Sequence, residues 1–85
     1  MIIQNVKAKI VSADILDGAD VKDKSHWVGR VGTIDSADIG KPLSFAFQEN
    51  GADRWVRTTT VDEILIRGNT IGVEAGSYRY VFERI

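Results

Sequence analysis

The stretch Leu43-Ser44-Phe45-Ala46-Phe47-Gln48-Glu49-Asn50-Gly51-Ala52-Asp53-Arg54-Trp55-Val56-Arg57 decides the fold. Leu43, Phe45 and Phe47 alternate with Ser44, Ala46 and Gln48, a period of two that puts apolar side chains on one face of a strand and small or polar ones on the other. Asn50-Gly51 follows. Both residues accept positive φ, so the pair predicts a tight hairpin turn, with the return strand over 54–61. On that strand Arg54 shares a face with Val56, and Trp55 shares the opposite face with Arg57. If Val56 is core, Trp55 points outward.

The same period extends in both directions. Over 3–15, Val6, Ala8 and Ile10 alternate with Lys7 and Lys9. Beyond Ile10 the apolar set becomes Val11, Ala13 and Ile15, a change of phase that calls for a β-bulge near Ser12 or a new short element. Residues 17–26 carry almost no apolar side chain and read as the longest exposed loop. A second strand over 27–34 contains Gly29 and Gly32, which within a strand mark a bend or a close backbone approach. Asp35-Ser36-Ala37-Asp38-Ile39-Gly40-Lys41-Pro42 reads as a turn, with Gly40 at positive φ and Pro42 opening the next strand.

Thr60 to Glu63 matches a helical capping box. Ile64 and Ile66, leading through Arg67-Gly68-Asn69-Thr70 into 71–75, favour a strand and a second hairpin instead. Ala75-Gly76-Ser77 then turns the chain into a last strand with Tyr78, Tyr80 and Phe82 on one face against Arg79, Val81 and Glu83 on the other. The three aromatics are expected in the core. At least one of Trp27 and Trp55 is expected there too, because large residues fill the ends of a small barrel. The pattern predicts one all-β domain over 1–85, a small barrel of five to six antiparallel strands.

Composition narrows the functional classes. The chain has 85 residues, 11 basic and 12 acidic side chains, a net charge of -1 and no cysteine. Near-neutral charge argues against nucleic acid, whose binding draws on clustered Lys and Arg. The lack of cysteine removes disulfides, thiolate metal sites and a cysteine nucleophile, and favours a reducing cytoplasm. No basic, apolar leader and no run of ~18 apolar residues is present, so neither export nor a membrane span is expected.

The glycine-bent strand Trp27-Val28-Gly29-Arg30-Val31-Gly32-Thr33-Ile34, the Gly40-Lys41-Pro42 turn and the hairpin-linked strands resemble an SH3-like small barrel, with the KOW-type variant nearest. The likeness rests on 28–47. In the second half, Val56-Arg57-Thr58-Thr59-Thr60-Val61 and Gly76-Ser77-Tyr78-Arg79-Tyr80-Val81-Phe82-Glu83 are similar to small single-domain proteins of prophages and mobile elements in Gram-positive bacteria. That resemblance implies a bacterial or phage setting and carries no functional residue. The clustered aromatics of the peptide-binding SH3 groove have no counterpart here.

Candidate sites are few. His26 is the single histidine. Ser25 beside it makes no triad, because neighbours along a strand point to opposite faces. Asp14, Asp17, Asp20 and Asp23 recur every third residue and could gather oxygen ligands around a divalent ion, with His26, Asp35 or Asp38 added. Lys22 and Lys24 among them oppose a cation, and a solvated, charge-balanced loop is the plainer reading. Neither a metal nor a cofactor is expected.

The most suggestive set is aromatic and cationic: Trp27, Arg30, Arg54, Trp55, Arg57 and Arg79. The functional expectation is a noncatalytic binding module with a protein partner. The alternative is nucleic acid on this Arg/Trp face. A small metal-dependent enzyme using the acidic loop ranks last. Self-association is also expected as an option, through a sheet edge or through Ile2, Ile3 and Ile85 at the chain ends.

Overall fold

A computed structural model describes residues 2–85. Six strands, β1 (Ile2–Ile15), β2 (Val31–Asp38), β3 (Pro42–Glu49), β4 (Ala52–Arg67), β5 (Thr70–Ala75) and β6 (Tyr78–Arg84), are joined by turns and by one 3-10 turn at Ser25–Trp27. Each strand pairs antiparallel with the next, and β6 returns to β1, closing a barrel. The two long strands are shared between neighbours: β1 pairs with β2 over 2–9 and with β6 over 8–15, and β4 pairs with β3 over 52–60 and with β5 over 61–67. Among the described residues no helix is long and apolar enough to cross a membrane.

The hairpins form where the turn chemistry places them. Asn50 and Gly51 have φ of 52° and 81° and set Glu49 opposite Ala52. Gly68-Asn69 sets Arg67 opposite Thr70, and Gly76-Ser77 sets Ala75 opposite Tyr78. Inside the ring, Phe45 and Phe82 meet with centroids 5.4 Å apart. Around them Ile10, Ile34, Leu43, Val61 and Val73 are fully buried.

Bulges bend the strands into closure, as a small barrel requires. In β1 the register with β6 shifts between Ile10 and Ser12, so Ala13 returns to the core. Val11 and Ile15, expected inward with Ala13, stay exposed instead. A second change of phase lies at Asn5, whose φ is 54°, and puts both Ile3 and Ala8 inside.

β4 is one continuous strand of 16 residues with no helical turn. It passes from β3 to β5 through two register shifts. A hydroxyl and a carboxylate fill the gaps left in the ladder: Thr58 Oγ1 accepts the Leu43 amide at 3.0 Å, and Asp62 Oδ2 accepts the Gly76 amide at 3.1 Å.

β2 corrects the sequence reading. It begins at Val31, not at Trp27, and runs on through Asp35-Ser36-Ala37-Asp38, which propensity assigns to a turn. Ala37 is fully buried opposite Ile3, and Ser36 pairs with both Gln4 and Ser44. Two flanking strands thus outweigh the turn preference of Asp and Ser. The turn shrinks to the residues around Gly40, at φ 89°, where Val61 accepts the Gly40 amide and donates to the Lys41 carbonyl, each at 2.9 Å.

Candidate docking face

The six residues of the aromatic and cationic set occupy four separate places. Trp27 stands on the 3-10 turn and packs against the core. It stacks on Tyr80 at 6.2 Å, and Tyr80 stacks on Tyr78 at 5.9 Å. Lys24 Nζ lies 4.6 Å from the Trp27 ring centroid, and the Tyr78 hydroxyl donates to the Lys22 carbonyl at 2.7 Å. The long loop is thereby fastened across these rings, and Trp27 is the tryptophan that serves the core. Burial, with a smaller push from Tyr78, raises the Tyr80 phenol to about 12.

Arg30 and Arg54 gather near Phe47. The Arg30 guanidinium lies 5.2 Å from the Phe47 ring centroid and forms an ion pair with Glu49. Arg54 is exposed and directly opposite Phe47 in the β3–β4 register. Arg79 stands on the outer face of β6, where its Nε and Nη2 donate to Glu74 Oε2 at 3.2 and 2.8 Å. That carboxylate first, and the charges of Asp14 and Glu63 after it, hold the guanidinium above its ordinary value.

Trp55 and Arg57 face outward on β4, because Val56 between them is 2% exposed and points into the core. Trp55 is 61% exposed. It lies opposite Ala46, which lies opposite Thr33. These positions belong to a shallow groove of about 570 Å³ across β2, β3 and β4, whose lining includes Gly32, Val31, Asp35 and Asp53. On this face Ala46 presents a single methyl group between Thr33 and Trp55, and Gly32 contributes only backbone, because it pairs with Ala8 and Phe47 in the inward row. Val31 on the far wall is more than half exposed. Gln48 Nε2 donates to Asp53 Oδ1 at 3.2 Å, holding the two side chains at one end. The lining carries two carboxylates and no cation.

The acidic residues of the first loop are spread out. Asp14 lies on β1 opposite Arg79, and Asp23 accepts the Ser25 hydroxyl at 2.6 Å and the Ser25 amide at 3.0 Å. The Ser25 contacts hold the Asp23 carboxyl below its usual range. Among the described residues no three His, Asp or Glu side chains are grouped so as to hold a metal ion.

Of the groove residues, the sequence reading picks Trp55 for binding, and names Asp35 as a possible ion ligand, Gly32 as a bend and Phe47 on the apolar face of its strand. The neighbours of Trp55 carried a usable signal. A two-residue turn at Asn50-Gly51 sets Ala46 opposite Trp55 by counting back along both strands. Comparison with known proteins adds no relative: no family model, no curated protein and no solved structure matches the chain.

Proposed function

We propose that the protein is a noncatalytic docking module of a bacterial or phage cytoplasm that binds a protein partner on the outer face of β2, β3 and β4. One observation carries the reading: Trp55 stands 61% exposed beside a groove floored by Ala46, with Gly32 backbone in its lining. A large, rigid indole beside a small-residue floor is a favourable anchor, since aromatic residues dominate the binding energy of protein interfaces. Val31 supplies further apolar surface on the opposite wall, and Gln48, Asp53 and Asp35 supply a polar rim.

The same geometry favours protein over nucleic acid. Phosphate binding needs a continuous cationic track. Here Arg30 and Arg79 are engaged by Glu49 and Glu74, and the groove beside Trp55 is lined by Asp35 and Asp53.

The test is affinity capture from a bacterial lysate with and without nuclease, using the wild-type protein and Trp55→Ala side by side. The expected result is a protein retained by the wild type and lost by a Trp55→Ala variant whose melting curve is unchanged. Equal capture by both removes Trp55 as the anchor. Capture that needs intact nucleic acid and fades with salt establishes the alternative instead.

A further inference from the structure

We infer that the outer face of β4, β5 and β6, continued onto β1, is a self-complementary surface through which two copies of this chain associate about a two-fold axis. The surface shares β4 with the Trp55 groove but none of its lining residues, so the inference stands apart from the proposed function.

Three rows of outward side chains cross these strands, and the pairing register aligns them. The central row is Leu65, Gly72, Val81 and Ser12. Leu65 is 53% exposed, and the missing side chain at Gly72 leaves a recess between it and Val81. On one side runs the row Glu63, Glu74, Arg79 and Asp14; on the other runs Arg67, Thr70, Glu83 and Lys9. Read in strand order, the first row is negative, negative, positive, negative. The second is positive, neutral, negative, positive.

Turning a second copy over about the central row lays each of its charged rows on the opposite row of the first. Glu63 then faces Arg67 of the second copy, Arg79 faces Glu83, and Asp14 faces Lys9. Glu74 faces the neutral Thr70, and no like charges meet. Each copy covers the exposed Leu65 of the other. A two-fold interface must be complementary to itself in this way. An axis along β5 would instead set Glu74 against Glu74. The net charge of -1 puts up no general repulsion.

Four strands about 4.8 Å apart give a patch of a few hundred Å² per copy, below the ~1,200 Å² total of a tight complex. The association is therefore weak, visible at high protein concentration and reduced by salt.

Sedimentation equilibrium of Glu63→Lys and Arg67→Glu tests the inference. The two residues are four apart on one extended strand, about 13 Å, too far to pair within a chain. The wild type is expected to dimerise at millimolar concentration and low salt. Each variant alone is expected to be monomeric, because both of its cross-copy pairs become like-charged. The equimolar mixture is expected to regain the dimer, because both pairs are opposite again. A monomeric wild type, a variant that dimerises alone as well as the wild type, or a mixture that stays monomeric overturns the proposal. The last outcome is also what the axis along β5 gives, since Lys at 63 would then meet Arg79 of either copy.

Discussion

A Cβ placed on Gly32 would lie 2.0 Å from the carbonyl oxygen of Ala46. The backbones of β2 and β3 come together there because one side chain is missing from the inward row that Gly32 shares with Ala8 and Phe47. Gly32→Ala forces a backbone oxygen to retreat by more than an ångström. The expected loss is about 3 kcal/mol or more in urea denaturation. Gly72 is the control. Its nearest contact would be 3.6 Å, so Gly72→Ala should be neutral or stabilising by up to ~1 kcal/mol.

The two tryptophans should separate cleanly. Trp27 packs against the core and stacks on Tyr80, so Trp27→Ala should cost about 3 kcal/mol. Trp55→Ala should change stability by no more than about 0.5 kcal/mol, as surface substitutions do. Chemical denaturation of both variants checks this. Equal losses would contradict the division of roles.

At the bend in β4, Thr58 Oγ1 is the acceptor for the Leu43 amide. Thr58→Val keeps the shape and leaves that part-buried donor unpaired, an expected cost of about 1–3 kcal/mol. Thr58→Ser, which keeps the oxygen, should recover most of it. Two equally destabilised variants would show that the methyl group, not the hydrogen bond, matters at this bulge.

Alkaline pH should reveal Tyr80. Its phenol titrates at about 12 in the folded barrel, against an unfolded value near 10. A raised acid favours its protonated form in the native state. The unfolded chain therefore loses its proton first, and stability is intact below about pH 10 and falls as pH rises toward 12. Tyr80→Phe should show a shallower decline over that window in thermal melts. Parallel declines for the two proteins would place the alkaline loss elsewhere.

Much of the barrel is readable from local chemistry. Asn50-Gly51, Gly68-Asn69 and Gly76-Ser77 each define a two-residue turn, and each turn sets which residues face one another along the flanking strands. The alternation of Leu43, Phe45 and Phe47 and of Tyr80 and Phe82 names the centre of the core. The break in period after Ile10 announces a bulge. Even the three charged and apolar rows on β4, β5 and β6 follow once those turns are placed, because they depend on register alone.

Other features depend on contacts that no local pattern contains. Asp35-Ser36-Ala37-Asp38 reads as a turn until β1 and β3 pair on either side of it. Trp27 reads as the start of a strand until Tyr80 offers it a stacking surface.

The outward stance of Trp55 follows from Val56, and Val56 is core because β3 and β4 close around Phe45. Turn type and side-chain alternation are short-range properties, set by steric limits within a few residues, so the chain's order determined the hairpins and their register by itself. Which face closes inward, which tryptophan is covered and where a strand ends are settled by burial among segments distant in sequence. Those were decided only when the ring closed.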